Sequence, residues 1–180
     1  MVLLLVSKLY ICKLTVDGGL IESIDAINNL YYNDFYGELF GDILKLLSVE
    51  VLYLEQKGVL TVVNGKDLTL SFENLINFYK KYDEAIWERY SLYLDLKQRG
   101  YIVKGGFSDR LEFRVYKRGA SPLHDPASFI VIGVLEGKPL SLEELDKIAR
   151  QTRISNKELI LAVIDREGGI TYYEAGLITL

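Results

Sequence analysis

The chain has 180 residues, 49% of them hydrophobic and 26% charged, with a formal net charge of −4. That length holds one sizeable domain or two small ones, and the composition is that of an ordered soluble protein, not a disordered one. The only cysteine, Cys12, forms no internal disulfide, and one histidine, His124, cannot build a usual zinc site, so neither a metal nor another cofactor is expected. Cys12 follows the apolar run Leu9, Tyr10 and Ile11, the setting of a buried structural thiol. Met1–Val6 is too short to span a membrane and lacks the flanks of a signal peptide. The expectation is a cytoplasmic protein with no membrane partner.

In chain order, Leu3–Val16 reads as one or two strands. Ser23 is a suitable N-cap for a helix over Ile24–Tyr32, where Ile24, Ile27 and Tyr31 recur at helical spacing. Asn33–Gly37 is turn-like. Leu44–Gln56 has helical character up to Gly58, and Ser48 is placed to cap a shorter helix within it. Val59–Val63, the turn Asn64-Gly65-Lys66 and Asp67–Leu70 predict a hairpin, with Asn-Gly supplying the positive φ of a type I′ turn. Ser71 caps a helix carrying Phe72, Leu75, Ile76 and Tyr79 on one face. These elements form a small mixed unit, residues 1–83, with no recognisable chemistry.

Asp83 then caps a long helix from Glu84 to Arg99, closed by Gly100. Strands are predicted at Tyr101–Lys104, Leu111–Tyr116 and Phe129–Val134. Ser141-Leu-Glu-Glu144 is a capping box opening a helix to about Thr152. Leu159–Ile164, a turn at Arg166–Gly169 and Ile170–Glu174 form a closing hairpin. Helix, strands, helix, strands marks residues 84–180 as a second domain. The fold class expected is α+β, a small mixed N-terminal domain followed by an α/β nuclease-like C-terminal one.

Charge is unevenly placed. Residues 1–96 hold eight basic and fourteen acidic groups, whereas residues 97–118 hold seven basic groups (Lys97, Arg99, Lys104, Arg110, Arg114, Lys117, Arg118) against Asp109 and Glu112. A basic stripe in an acidic protein is either a solvated face or a phosphate-tracking surface.

The stripe runs into Tyr116, the end of the predicted strand Phe113-Arg-Val-Tyr116, and then into the loop that holds His124. Strand alternation predicts that Arg114 and Tyr116 point one way and Phe113 and Val115 the other, into the core. Each candidate has an ordinary reading: Tyr116 as a packing residue, His124 as loop surface, Lys157 as a snorkelling lysine. Together, a phenol, an imidazole and an ammonium supply a base for a 2′-hydroxyl, an acid for a 5′-oxygen and a cation for a pentavalent phosphorane.

The chain resembles the archaeal tRNA-splicing endonucleases. The resemblance rests on Phe35-Tyr-Gly37 with Gly41, Val51–Val62 (VLYLEQKGVLTV), Leu70-Ser-Phe-Glu73, Gly100-Tyr-Ile-Val-Lys104, Phe113–Gly119 (FRVYKRG), the histidine loop before an apolar strand, and Ile154-Ser-Asn-Lys157 through Glu174. It implies Tyr116 as general base, His124 as general acid and Lys157 as transition-state stabiliser. It implies metal-independent cleavage of precursor tRNA at a bulge-helix-bulge, leaving 2′,3′-cyclic phosphate and 5′-hydroxyl ends. Arg150 matches one of two base-clamping arginines, while the last strand offers no arginine for the other. Lys104, Arg114, Lys117 and Arg118 complete the expected RNA-binding set. Many relatives run from the histidine almost directly into the next strand, whereas here Asp125-Pro126 intervenes. The family's assembly implies a homotetramer, or a heterotetramer with a structural subunit, using the acidic turn with Asp165 and Glu167 and the apolar ending with Leu177 and Ile178. The alternative is a non-catalytic structural or RNA-binding subunit of the same assembly. Retention of all three of Tyr116, His124 and Lys157 favours the catalytic reading.

Overall fold

The computed structural model describes residues 9–108, 110–138 and 140–176. The chain divides into two compact units, Met1–Tyr90 and Ser91–Leu180. The division falls within the helix Ile86–Gln98, whose N-cap side begins just after the boundary expected at 83/84.

The first unit is a six-stranded sheet in the order β3-β4-β2-β1-β5-β6. Its strands are β1 (Tyr10–Thr15), β2 (Gly18–Ile21), β3 (Glu38–Phe40), β4 (Ile43–Leu47), β5 (Leu60–Val63) and β6 (Thr69–Leu70). Three α-helices accompany it: α1 (Ile24–Ile27), α2 (Ser48–Gln56) and α3 (Phe72–Tyr79). The Ser23 hydroxyl accepts from Ala26 N–H as its cap role predicts, but α1 is one turn long and passes into a π-helical turn, Asn28–Asn33.

Two expectations for this unit are corrected. Leu44–Gln56 is not helical throughout: Ile43–Leu47 is a strand, because Leu44 and Leu46 are buried with the period of two that a strand gives. The helix starts at Ser48, with Leu47 in the capping position. The hairpin is present, but its turn is not type I′. The side-chain oxygen of Asn64 accepts from Lys66 N–H (2.9 Å) and Leu68 N–H (3.1 Å), and the positive φ belongs to Asp67 at 56°. An asparagine that bonds its own downstream backbone widens the loop, and this competes with the two-residue turn.

Glu50 organises the sequence around it. Wholly buried, its carboxylate accepts from Leu47 N–H at 2.8 Å and from Gly37 N–H at 3.0 Å. The first bond caps α2, and the second ties down the Phe35-Tyr36-Gly37 turn, where Phe35 and Gly37 have φ of 63° and 65°.

The second unit contains the rest of α4 (Ile86–Gln98) and a five-stranded sheet in the order β11-β10-β9-β8-β7. Its strands are β7 (Ile102–Gly105), β8 (Glu112–Tyr116), β9 (Phe129–Leu135), β10 (Glu158–Ile164) and β11 (Ile170–Ala175). Only β9 and β10 pair in parallel, joined through α5 (Leu142–Ile154). Phe129–Leu135 and Leu159–Ile164 are continuous apolar runs because central parallel strands are covered on both faces. On one face Ile130, Ile132 and Leu159 pack with Ala149, Leu145 and Ile148 of α5. On the other, Val115, Val131 and Ile160 line a hollow with Leu96 of α4. A side chain at Gly133 would collide with Leu111, which crosses β9 there.

Candidate active site

Three strand ends meet at one end of the second sheet. Val115 of β8 pairs with Phe129 of β9, and Phe129 pairs with Glu158 of β10, so the three form one rung. The ladder extends outward: Ser128 N–H donates to the Val115 carbonyl at 3.0 Å, and Glu158 N–H donates to the Ser128 carbonyl at 3.0 Å. Tyr116 and Lys157 lie one residue outside that rung, on either side of Ser128. The loop bearing His124 joins β8 to β9 at this same end. The residues expected to act together are thus brought to one edge by a hairpin and a parallel crossover.

Each is held by local structure. Tyr116 is 6% exposed, so it is less open than a strand-end surface residue. Lys157 is half-buried. It leaves α5 through Asn156, whose φ of 52° suits asparagine in a left-handed position. Its N–H donates to the Thr152 carbonyl at 3.1 Å and its ammonium to the Ser155 carbonyl at 3.0 Å.

His124 is exposed in a closed turn. The Ser121 carbonyl accepts from both His124 N–H (2.9 Å) and Asp125 N–H (2.7 Å). The Asp125 carboxylate accepts in return from Ser121 N–H at 2.7 Å. Asp125, the residue that departs from the family pattern, therefore fastens the turn that presents the imidazole.

The basic stripe, continuous in sequence, divides in space. Lys104 is buried at 7% exposure and pairs in register with Arg114, contrary to a lysine on an open RNA-binding surface. Arg114 donates to the Gly105 carbonyl at 2.6 Å and lies 5.0 Å from the Phe107 ring. Arg110 pairs with Glu144 beside a cleft of about 530 Å³ between the β7–β8 turn and α5. By contrast, Lys117 and Arg118 stay at the Tyr116 end, over Phe129 (5.3 Å) and Tyr101 (5.8 Å) respectively. Arg118 runs across Gly100, which sits at φ 84° just past α4.

Arg150 is exposed on α5. Its Nε donates to Asp146 at 2.8 Å, and that carboxylate raises the guanidinium pKa further. In the β10–β11 turn, the Asp165 carboxylate accepts from Glu167 N–H and Gly169 N–H, both at 2.8 Å, so it braces the turn itself. Glu167 is exposed. Leu177 and Ile178 lie outside the described residues.

Sequence reasoning did not single out the aromatic walls Tyr101, Phe129 and Tyr172, or Asp95 on α4. Tyr172 donates to Asp95 at 2.5 Å, and Arg99 Nε donates to the same carboxylate oxygen at 2.6 Å. Burial, then the Asp95 carboxylate, pushes the Tyr172 phenol well above the ordinary range. The signal was the interleaving of aromatic and basic residues around Arg99-Gly100-Tyr101. Among the described residues no group of three His, Cys, Asp or Glu is placed to hold a metal ion. No described helix is long and apolar enough to cross a membrane.

Comparison with known proteins agrees with this architecture. Residues 86–172 match the family described as tRNA intron endonuclease, catalytic C-terminal domain, and residues 12–76 match tRNA intron endonuclease, N-terminal domain. The chain is 38% identical over 153 residues to the tRNA-splicing endonuclease of Pyrococcus furiosus, covering 85% of this chain and 87% of the relative. It is 31% identical over 153 residues to that of Methanothermobacter thermautotrophicus, covering 85% and 88%. It is 34% identical over 169 residues to that of Methanococcus vannielii, covering 93% and 94%. With both domains matched and relatives aligned along most of its length, the chain belongs to the tRNA intron endonuclease family.

Proposed function

We propose that this protein is the catalytic subunit of an endoribonuclease that cuts precursor tRNA at the bulge-helix-bulge flanking an intron. The observation that carries this reading is the shared strand end of Tyr116, the His124 loop and Lys157 in a chain of the tRNA intron endonuclease family. Tyr116 takes the proton from the 2′-hydroxyl, whose oxygen attacks the adjacent phosphorus. Lys157 offsets the charge that builds on the phosphorane oxygens, and His124 gives a proton to the departing 5′-oxygen. The bond broken is P–O5′, and the products carry a 2′,3′-cyclic phosphate and a 5′-hydroxyl. All three roles are filled by side chains, so no metal ion or other cofactor enters the scheme.

A structural, non-catalytic subunit has no use for this trio, and nothing else favours that role. Arg150, Lys117 and Arg118 are the RNA-facing cations in this reading. The active unit is a tetramer, of this chain alone or with a structural partner, in which Glu167 and the turn braced by Asp165 dock on a neighbour. A cytoplasmic site of action follows from the substrate.

The test is incubation of the purified protein with a bulge-helix-bulge RNA in EDTA. The expected fragments take up phosphate at their 5′ ends from a kinase without prior dephosphorylation. Fragments with 5′-phosphates, or cutting abolished by EDTA, overturn the mechanism. Light scattering of the purified chain reads the tetramer, and activity appearing only with an added partner identifies the mixed assembly.

A further inference from the structure

The cleft of about 530 Å³ beside α5 lies on the Tyr116 face of the second sheet. Glu112 lines it and stands four residues before Tyr116 on β8, so strand alternation puts both on one face and Val115 on the other. Ile130, the β9 partner of Arg114, lines it two residues short of Tyr116. Its α5 wall runs through Glu144, Lys147, Gln151, Thr152 and Ser155. The last two are the residues whose carbonyls accept from the Lys157 N–H and ammonium, at 3.1 and 3.0 Å, so the cleft ends beside Lys157. Other polar side chains of the lining are already engaged. Glu112 accepts from Phe107 N–H and the Ser108 hydroxyl, both at 2.7 Å, and Glu144 pairs with Arg110. Ser155 donates to the Gln151 and Thr152 carbonyls. Lys147 and Gln151 differ: exposed and one helical turn apart, they make no side-chain hydrogen bond or ion pair with any described residue.

We propose that this cleft carries the sugar–phosphate backbone of the RNA strand beside the cut bond, with Lys147 taking a phosphate and Gln151 a ribose 2′-hydroxyl. The proposal rests on the endoribonuclease reading and adds to it a backbone track outside the cleavage trio. Ligand clefts run from about 300 to 1,000 Å³, so this one has room for a nucleotide's sugar and phosphate. An ammonium with no counter-ion on the protein is the ordinary partner of a phosphate oxygen. A carboxamide both donates and accepts, as does a 2′-hydroxyl, the group that tells RNA from DNA. Contacts of this kind set the strand's register and leave its sequence unread. From Lys147 to Ser155 is eight residues of α5. That is about 12 Å of helix, or about three to four nucleotides at the ~3.4 Å rise of a stacked strand. A strand held at Lys147 and Gln151 is thus led to Lys157, and its phosphate reaches the trio's cation already in register.

The binding RNA is a bulge-helix-bulge with 2′-deoxynucleotides at both cut sites, which removes the nucleophile, and one further 2′-deoxy substitution at each flanking nucleotide in turn. Lys147→Gln is expected to weaken binding about fivefold at about 0.1 M salt and to flatten the slope of log affinity against log salt by about 0.7, the share of one single-strand phosphate. Lys147→Arg restores both. Gln151→Leu is expected to weaken binding about fivefold, the loss of one hydrogen bond, with the salt slope kept. One 2′-deoxy position should cost the parent the same factor and cost Gln151→Leu nothing more. In single-turnover cleavage of the unmodified RNA, the loss should be greatest at low protein and shrink toward saturation. Full multiplication of the Gln151 and 2′-deoxy effects at every position, or an unchanged salt slope in Lys147→Gln, overturns the track. A slower saturated rate at unchanged affinity also overturns it, because the side chains then act on Lys157. Loss of the tetramer in light scattering overturns it too, and assigns the cleft to contacts between copies. If Gln151→Leu misfolds, as its melting curve would tell, the Lys147 salt slope decides. A parent that cuts the RNA, with variants that bind as it does, loses only the track, whereas a parent that neither binds nor cuts loses the endonuclease reading as well.

Discussion

The two units treat polar side chains in opposite ways. In the first, the polar groups that matter are inside and spoken for: Glu50 is wholly buried against two backbone N–H groups, and the buried Tyr79 donates to the Gly18 carbonyl at 2.7 Å. In the second, Tyr116, the His124 loop and Lys157 lie at one end of the sheet, with His124 exposed in its turn and Lys157 half-buried. A polar residue buried for the fold bonds to backbone, so its loss is felt as stability. A polar residue of the proposed site is held by its loop or strand end, so its loss is expected to be felt as rate.

That contrast can be broken by substitution. The largest effect is expected for His124→Ala, which should slow cleavage of the bulge-helix-bulge RNA by about 100- to 10,000-fold. Its thermal midpoint should not move, because the imidazole is exposed; a cleavage rate equal to the parent's removes His124 from the mechanism. Glu50→Ala should do the reverse, costing about 3 kcal/mol in urea unfolding by removing the acceptor of the Gly37 and Leu47 N–H groups. Its rate per folded molecule should be unchanged. Asp125→Ala tests the boundary between the two classes. Loosening the turn should cut the rate about tenfold through misplacement of His124, with no loss of stability; an unaltered rate would make Asp125 incidental.

Smaller effects sharpen the comparison. Tyr79→Phe should lower stability by about 1 kcal/mol, measured by urea unfolding, because the Gly18 carbonyl is left without its donor. Cys12 should resist a thiol reagent at pH 8 until guanidinium unfolds the chain. Burial pushes its pKa up to about 12, so the fold favours the protonated thiol. The stabilising contribution is then complete below the ordinary thiol range and fades as pH climbs toward the folded value. Prompt labelling of the native protein would contradict this burial.

The second unit was the more legible in sequence, for physical reasons. Phe129–Leu135 and Leu159–Ile164 announce buried central strands by their apolar runs, and Ser141 announces α5 through the bond it accepts from Glu144 N–H. Ile43–Leu47 was obscure because a short apolar strand running straight into a helix has no punctuation between the two periods. Gly18–Ile21 was missed because its first two positions are glycines, which carry no pattern. At the site, Tyr116, His124 and Lys157 could be named from the chain. Their meeting could not, since it depends on the register of β8 with β9 and of β9 with β10. The aromatic hollow was illegible for the same reason: Leu96, Val115, Phe129 and Tyr172 come from four separate elements.

The parallel pairing of β9 with β10 also bears on how the nuclease comes into being. A hairpin closes locally, but a parallel pair closes only after the chain has travelled out through α5 and back. Such non-local pairing forms slowly, because loop entropy is lost before the contacts reward it. Tyr116 and the His124 turn lie in the local β8–β9 hairpin, whereas Lys157 lies at the start of the strand that the crossover brings back. On the proposed mechanism, a chain in which β9 and β10 have not yet paired would hold Tyr116 and His124 without Lys157 and should not cut RNA.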